Sequence, residues 1–298
     1  MNEEFAIEPT AFEDVKDVKI LLGKFGFHEG RFITALPGKW LKEVYNHFES
    51  FPDGIPKQQA KRLAEILKER GGIVSNGLNY DPTNTWLANA KSCESKLTGI
   101  VVSPSTPVEI RTGRIRAIGD IDDDSFFGSS RDTKIEATVE GYGKAAEKLL
   151  LASTEIYLID PHFNFSRKAN TDVLENFIRI GLAAKCKFFV VYVHVDSKPK
   201  GIDSILGKLT SKFPSAGLSL QVFYVEKGLS LNPVHPRYLL SRYGAIRFDK
   251  GFIVEQNTRH DVAPIDLDFH KELCRMYIDG GHGFTIESEL IFPALPNG

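Results

Sequence analysis

Hydrophobic residues in the first quarter of the chain recur at the spacing of an amphipathic helix. Side chains three and four positions apart share one face of a helix, so this pattern predicts three helices in succession. Their apolar stripes run from Phe12 to Phe25, from Trp40 to Phe48 and from Leu63 to Leu67. We therefore predict a mainly helical N-terminal domain over residues 1–74.

Turn-forming residues dominate the next stretch of the sequence. Pairs such as Asp81-Pro82 and Ser103-Pro104 interrupt regular structure. The apolar runs between them, at residues 99–102 and 115–118, are long enough only for short strands. The pattern predicts a connecting region with short strands over residues 75–133.

Beyond residue 134, short apolar runs alternate with helical stripes. The runs extend from Ile156 to Ile159, from Phe188 to Val195 and from Leu218 to Val225, and helical spacing of apolar residues precedes each of them. Strands separated by helices are typical of βαβ crossovers, and continuous apolar strands are typical of a parallel sheet that is buried on both faces. We predict an α/β domain over residues 134–298, with a sheet flanked by helices.

The alternation of apolar runs and helical stripes ends at Val225, and a candidate site follows it. His235 and Arg237 precede an apolar run, and the turn Arg242-Tyr243-Gly244 predicts a hairpin. Residues two apart in a strand point to the same face, so the imidazole and the guanidinium would lie side by side. A neutral imidazole can attack phosphorus while the neighbouring cation holds the non-bridging oxygens. For an H-x-R pattern taken alone, an exposed histidine beside a solvated arginine is the simpler interpretation.

The surrounding residues place this pattern at the end of a strand. Asp160-Pro161-His162-Phe163 follows the first apolar run and the H-x-R follows the third, and open α/β sheets bind ligands at such strand exits. The arrangement resembles the phospholipase D superfamily, and residues 235–252 are closest in pattern to the single-site domain attached to MIT proteins. The resemblance covers roughly residues 134–292. It implies a phospholipase-D-like fold and a phosphodiesterase or nuclease site, with His235 as nucleophile and Arg237 as phosphate clamp.

The site departs from the pattern of an active family member at Arg237, at Arg242 and at Gly251-Phe252, which is a poor match for the pair of small residues in that pattern. The resemblance implies a lysine and an aspartate where this chain has Arg237 and Arg242. Arginine binds phosphate bidentately, so Arg237 suits binding. The missing carboxylate would weaken turnover, because it would orient the histidine. Asp249 or Asn257 supplies the missing group only if the hairpin is re-registered.

These departures leave three functions open. The preferred function is binding of a nucleic-acid phosphodiester, with metal-independent cleavage by His235, Arg237 and Asp249 as a further step. Bacterial nucleases of phage-defence systems are the analogy for such a single-site chain. The second function is a catalytically inactive scaffold or interaction subunit for partner proteins. The third is a reader of membrane phosphates.

Three arginines in the connecting region form a second candidate contact with phosphate. Arg111, Arg114 and Arg116 would line one basic face if this stretch were a strand, and such a face attracts phosphates. An exposed polar strand is an equally good interpretation. The acidic run from Asp120 to Asp124 lacks the glycine and the glutamate of a calcium-binding loop, so we interpret it as a solvated turn and predict no metal.

A glycine pair near residue 141 imitates a different kind of site. Gly141-Tyr142-Gly143 opens a predicted helix, as the fingerprint of a dinucleotide-binding unit does. The preceding residues, 135–140, are too charged for the buried first strand that such a fingerprint follows. We therefore predict no nicotinamide, flavin or other cofactor.

Composition narrows the class of protein further. The 37 lysine and arginine residues nearly balance the 39 aspartate and glutamate residues, so a phosphate-bearing partner has to be held by a local patch. The longest strongly apolar run is far shorter than the roughly 20 residues of a transmembrane helix, and the first residues lack a secretory signal. The three cysteines are too widely spaced for a disulfide framework or a zinc site. We predict a cytoplasmic protein without a transmembrane segment.

The single H-x-R predicts a homodimer. A complete site in the resembling superfamily combines two half-sites, in which one histidine attacks and the other protonates the leaving group, and no second H-x-R or H-x-K occurs in this chain. A twofold axis brings two identical patches together. Light scattering from low micromolar concentrations upward should therefore give twice the mass of one chain. A strict monomer that still cleaves nucleic acid would refute the paired site, and an inactive monomer would favour the scaffold.

Overall fold

The chain forms two compact units, residues 1–131 and 132–298. The structure is a computed structural model that describes residues 3–75, 77–121, 126–127, 132–214, 217–226, 237–281 and 283–292. Both units combine helices with a sheet, which confirms the α/β class predicted from the sequence. None of the helices in the described ranges has both the length and the apolar composition that crossing a membrane requires.

The N-terminal unit contains the three predicted helices together with strands that the helical pattern did not indicate. Its helices are α1 (Val15–Lys24), α2 (Trp40–Phe48), α3 (Ile55–Glu69) and α4 (Trp86–Ser92). Its strands are β1 (Glu3–Ile7), β2 (Arg31–Thr34), β3 (Ile73–Val74), β4 (Gly99–Val102) and β5 (Ile115–Ala117). The two short strands predicted within residues 75–133 form as β4 and β5, and residues 1–131 fold together as one α/β unit.

All strands of this unit run parallel, in the order β3-β2-β1-β4-β5. Phe5, Ala6 and Ile7 of β1 are fully buried, and so is the whole of β4. Burial on both faces removes the alternation of polar and apolar residues that marks a half-exposed strand. Strands of two to five residues are also too short to show a period. For these two reasons the sequence pattern over residues 1–74 predicted the helices and gave no indication of the sheet.

The C-terminal unit has the βαβ alternation predicted for residues 134–298. Its helices are α5 (Val139–Ala152), α6 (Lys168–Leu182), α7 (Ile202–Thr210) and α8 (Leu267–Leu273), and a π-helical turn over Cys274–Ile278 continues α8. Its strands are β6 (Thr133–Glu136), β7 (Glu155–Ile159), β8 (Phe188–His194), β9 (Ser219–Val225), β10 (Tyr238–Leu240), β11 (Ala245–Phe248), β12 (Arg259–Pro264) and β13 (Ile286–Phe292). The three apolar runs of the sequence form β7, β8 and β9.

One mixed sheet in the order β13-β9-β8-β7-β10-β11-β12-β6 forms the centre of the C-terminal unit. The strands β7, β8 and β9 are parallel, as predicted. β10 then runs antiparallel to β7 and turns into β11 through the predicted hairpin, and β12 and β6 continue the antiparallel ladder. The carboxyl ends of β7 and β11 consequently meet the amino ends of β10 and β12 at one edge of the sheet.

Aromatic side chains anchor helices to both faces of this sheet. On the face that carries α8, the ring of Tyr238 lies 5.9 Å from that of Phe269, centroid to centroid. On the opposite face, Tyr142 of α5 lies 5.8 Å from Phe248 of β11. Successive residues of a strand point to opposite faces, so burial on both faces requires the nearly continuous apolar strands that the sequence shows.

The two glycines that imitate a dinucleotide-binding fingerprint lie inside α5 and allow close packing. A Cβ on Gly141 would lie 2.1 Å from the carbonyl oxygen of Glu136, and one on Gly143 would lie 2.3 Å from Nδ2 of Asn176 on α6. The same Nδ2 atom donates a hydrogen bond of 3.0 Å to the carbonyl of Val139. The glycines therefore have a packing role in this helix.

Replacing Gly141 with alanine should destabilise the C-terminal unit by roughly 1–3 kcal/mol, because the main-chain carbonyl of Glu136 cannot move away without disturbing β6. Gly207 in α7 is the matched control, since no atom lies within 4 Å of the position that its Cβ would take. Alanine at that site should be neutral or should stabilise the helix by about 0.5–1 kcal/mol. Urea denaturation followed by circular dichroism measures both variants. Equal midpoints for the two would contradict the packing role of Gly141.

Candidate functional site

Arg237 and Asp160 meet at the edge of the sheet because of the register between β10 and β7. Tyr238 pairs with Ile159 in this antiparallel ladder, so the residue before β10 lies opposite the residue after β7. The Nε atom of Arg237 lies 3.7 Å from Oδ1 of Asp160. This edge contains the carboxyl ends of the parallel strands, where open α/β sheets bind ligands.

The guanidinium of Arg237 is mostly covered by protein, with 16% of the side chain exposed. Its Nη1 atom donates a hydrogen bond of 2.8 Å to the backbone carbonyl of Asp249. The Nε atom is fully buried, and its hydrogen has no acceptor among the groups that the structure describes. Arginine carries five N–H donors in a planar fork and stays charged at physiological pH. The described protein groups therefore use only part of its donor capacity.

A glycine packs directly against this pair of charged side chains. Gly251 follows β11 and has a φ of +73°, in the left-handed region that favours glycine. A Cβ at this position would lie 2.8 Å from Cδ of Arg237 and 2.8 Å from Oδ2 of Asp160. Any other residue would strain the backbone and push the two charged groups apart.

Asp160 is the buried carboxylate of the site, with 3% of the residue exposed. Oδ1 accepts a hydrogen bond of 2.9 Å from the backbone N–H of His162, and the backbone N–H of Phe252 also donates to the carboxylate. Burial raises the pKa of Asp160 to about 6, because desolvation disfavours the charged form more than the N–H groups and Arg237 favour it. A carboxyl group with this pKa changes charge close to neutral pH, as many functional groups do.

A cluster of aromatic rings makes the surroundings of Asp160 apolar. Phe252 lies at its centre, with ring centroids 4.8 Å from Phe248, 5.7 Å from Phe177 and 6.5 Å from Phe163. Tilted and edge-to-face pairs of this kind pack well and exclude water. Because the backbone N–H of Phe252 donates to the carboxylate of Asp160, this cluster lies next to the buried group and contributes to the burial that raises its pKa.

Tyr142 ties the glycine loop to α5 and β12. Its hydroxyl lies 3.0 Å from the carbonyl oxygen of Gly251, 2.7 Å from that of Ile253 and 2.6 Å from Nδ1 of His260. Burial raises the pKa of Tyr142 well above its usual value, so the phenol keeps its proton. His260 is fully buried, its Nε2 atom has no hydrogen-bond partner in the described ranges, and Oε2 of Glu255 lies 3.8 Å away.

Of the predicted catalytic residues, the structure describes Arg237 and Asp249. His235 lies outside the described residues. Arg237 is at the predicted edge of the sheet. Asp249 contacts the guanidinium of Arg237 only through its backbone carbonyl, and the residue itself is exposed. The carboxylate beside the guanidinium belongs to Asp160, which the sequence marked only as the turn after an apolar strand. An aspartate directly after a buried strand was the available signal for this role.

Arg242, another position compared with the family pattern, lies away from Arg237. Arg242 follows β10, so the length of that strand separates it from Arg237. Its guanidinium forms ion pairs with Glu155 at 3.1 Å and with Asp279 at 3.0 Å. Asn257 is an exposed turn residue with a φ of 56°.

The three arginines predicted as a basic strand face belong to the N-terminal unit. β5 begins at Ile115, so only Arg116 of the three lies within a strand. Each guanidinium donates a hydrogen bond to a backbone carbonyl, Arg111 to Thr106, Arg114 to Leu97 and Arg116 to Gly113. Contact of these side chains with phosphate stays a prediction.

The acidic run from Asp120 to Asp124 is described only at its first two residues. Asp120 lies 3.9 Å from Nη1 of Arg111, while Asp122 to Asp124 fall outside the described ranges. Within those ranges, no cluster of three or more histidine, cysteine, aspartate or glutamate side chains could hold a metal ion.

Comparisons with known proteins find remote structural neighbours. No family model matches the chain, and no curated protein matches it. Among solved structures, TrmBL2, an archaeal chromatin protein whose structure shows a novel mode of DNA binding, is 11% identical, with 78% of this chain and 83% of that chain covered and a TM-score of 0.31. Polyphosphate kinase from Porphyromonas gingivalis is 16% identical, with 84% of this chain and 37% of that chain covered and a TM-score of 0.31. At these values neither neighbour bears on the function of this chain.

Replacing Asp160 with asparagine should change how the stability of the protein depends on pH. The pKa of this carboxyl is about 6 in the folded protein and about 3.9 in the unfolded chain. The stabilisation from its proton is therefore complete below about pH 4 and is lost as the pH rises through 6. Asparagine does not titrate. In urea denaturation, the stability of the wild type relative to the variant should fall by about 2 kcal/mol between pH 4 and pH 7.

Other titrating groups are common to both proteins, so most of their effect cancels in this comparison. A rise in relative stability over the same pH range would contradict the assignment. It would mean that Arg237 and the backbone N–H groups outweigh burial and lower the pKa of Asp160.

Proposed function

We propose that the C-terminal unit binds the phosphodiester groups of nucleic acid, with Arg237 holding the phosphate oxygens. The observation that carries this proposal is a guanidinium at the carboxyl edge of the parallel strands that is mostly buried, keeps 16% of its side chain exposed, and uses only part of its donor capacity on described groups of the protein. A charged group that loses water without gaining full hydrogen bonding is costly. An anionic ligand that accepts from the remaining N–H groups would offset this cost.

The carboxylate beside Arg237 also favours an anion as ligand. The pKa of Asp160 is about 6, so a fraction of the molecules carry a neutral carboxyl group near neutral pH. A neutral Asp160 leaves the charge of the guanidinium uncompensated. Phosphate bound to Arg237 would stabilise this protonated form further, because two anions side by side repel. The ligand phosphate can thus replace the carboxylate as the partner of the cation.

Cleavage is the second part of the proposal, and His235 is its nucleophile. A bond forms between an imidazole nitrogen of His235 and phosphorus, the bond from phosphorus to the leaving oxygen breaks, and His235 of a second copy of the chain gives that oxygen its proton. Water then attacks phosphorus, gives a proton to the now neutral His235 of the second copy, and releases the first imidazole as the bond from phosphorus to nitrogen breaks. Arg237 stabilises the charge on the non-bridging oxygens in both steps. This mechanism uses no metal ion.

Nucleic acid is the proposed ligand because residues 134–292 resemble the phospholipase D superfamily, which includes single-site nucleases. Phage defence in bacteria is the setting that this resemblance implies. The net charge of the chain is −2, so the phosphate contacts have to be local. A dimer would present Arg237 twice and could contact two phosphates.

An inactive scaffold is the second candidate function, and the position of Arg242 favours it. The family pattern implies an aspartate at this place. The arginine forms ion pairs with Glu155 and Asp279 instead, and these pairs join the end of β10 to β7 and to the segment after α8. A site without the expected carboxylate would bind phosphate without cleaving the ester.

Arg237→Gln should weaken the binding of a short fluorescent oligonucleotide by roughly 10- to 100-fold, because a hydrogen bond to a charged partner contributes about 1.5–3 kcal/mol. Arg242→Gln is the matched control, since it removes an arginine from the other end of β10. It should keep wild-type affinity. Fluorescence anisotropy at one fixed salt concentration measures both variants. Equal losses of affinity would remove Arg237 from the interface.

The variant His235→Ala, assayed with the same oligonucleotide for both affinity and cleavage, separates cleavage from binding. The variant should retain the affinity of the wild type and lose turnover, because a nucleophile acts mainly in the chemical step. EDTA should leave the wild-type rate unchanged. Binding by the wild type without any cleavage would support the scaffold instead of the nuclease.

A further inference from the structure

The N-terminal unit contains a cavity next to the point where its strand order reverses. In the order β3-β2-β1-β4-β5, successive strands extend to one side of β1 and then, from β4, to the other side. Doubly wound sheets bind ligands at the carboxyl ends of the strands that flank such a point. A cavity of about 720 Å³ opens here, lined by the residues that follow β1 and β2. Small-molecule sites have volumes of about 300–1,000 Å³.

Two aromatic side chains, Tyr80 and Trp86, line this cavity. The Nε1 atom of Trp86 donates a hydrogen bond of 2.7 Å to the carbonyl oxygen of Leu36, which holds the indole against the segment after β2. Trp86 is only half-buried, so part of its ring is accessible. An aromatic ring held in this way is a stacking surface for a planar base.

A carboxylate with a fixed orientation lines the same cavity. Glu8 directly follows β1, and its Oε2 atom accepts a hydrogen bond of 2.8 Å from the backbone N–H of Ser103, which directly follows β4. This bond spans the point at which the strand order reverses. In the described part of the chain, Oε1 of Glu8 has no hydrogen-bond partner. A held carboxylate with one free oxygen is an acceptor for the vicinal hydroxyls of a ribose, as in dinucleotide-binding folds.

Lys39 supplies the positive charge of the cavity. It is exposed, directly precedes α2 and has no ion pair with any residue of the described ranges. Glu43, four residues further along, lines the cavity as well. Of the lysine and arginine residues in the described ranges, Lys39 alone lines the cavity, so the available positive charge suits one phosphate group better than several.

We propose that the N-terminal unit binds a ribonucleoside monophosphate in this cavity. The base stacks on the aromatic side chains, the ribose hydroxyls donate to Glu8, and the phosphate pairs with Lys39. The cavity lies within one unit and is independent of the site at Arg237. Its ligand therefore does not depend on the function proposed for the C-terminal unit.

Isothermal titration of the full-length chain with AMP, CMP, GMP and UMP tests this proposal. At least one of the four should bind with a stoichiometry of one per chain. The 2′-deoxy form of that nucleotide should bind about tenfold more weakly, because it lacks one hydroxyl donor to a charged acceptor. Failure of all four to bind would overturn the proposal, and so would equal affinity for the ribo and deoxy forms.

The variant Lys39→Met tests whether the phosphate binds to Lys39. This variant should bind the monophosphate about tenfold more weakly while its affinity for the free nucleoside stays the same, because only the phosphate contact is lost. Lys42→Met is the matched control, since Lys42 is an exposed residue of α2 that does not line the cavity. Equal effects of the two substitutions would overturn the assignment of Lys39.

The variant Glu8→Gln tests whether the ribose hydroxyls bind to Glu8. Glutamine keeps an oxygen that can accept from the N–H of Ser103, so the fold around the cavity is retained. The difference in affinity between the ribonucleotide and its deoxy form should shrink to about twofold, because the charged acceptor is gone. An undiminished preference for the ribonucleotide over its deoxy form in Glu8→Gln would overturn the assignment of Glu8.

Discussion

The antiparallel pairing of β10 with β7 is the constraint on which the candidate phosphate site depends. The preceding strands are parallel, and β10 enters in the opposite direction, so its amino end lies beside the carboxyl end of β7. A slip of one residue would turn the apolar side chains of β10 to the wrong face. A slip of two residues would move Arg237 by about 7 Å along the strand, away from Asp160. The register of β10 against β7 therefore determines where the guanidinium lies.

Opposing effects set the charge of this site. The aromatic cluster around Phe252 excludes water, and this desolvation disfavours an ionised Asp160. The guanidinium of Arg237 and two backbone N–H groups oppose it without cancelling it. Gly251 allows these groups to pack together, because a side chain at its position would overlap both charged residues. The result is a permanent cation beside a carboxyl group that titrates near neutral pH.

Both units have their candidate site at the carboxyl ends of parallel strands, and the two sites use different chemistry. In the C-terminal unit the site is built from a guanidinium and a buried carboxyl over an aromatic cluster. In the N-terminal unit Glu8 is held by a backbone N–H, beside aromatic side chains and a lysine. The common feature is geometric. Parallel strands end at one edge, so the residues that follow them are brought together whatever their chemical type.

The sequence by itself determined the elements whose signals are local. Helical stripes predicted α1 to α3, apolar runs predicted β7 to β9 within one residue at each end, and Arg237 was recognised beside a strand exit. The tertiary structure decided what depends on residues far apart in the chain. The buried strands of the N-terminal unit carry no period, so only their pairing reveals the sheet. Asp160 and Arg237 are 77 positions apart, and the register between β7 and β10, which joins them, follows from the burial of side chains on both faces of the completed sheet.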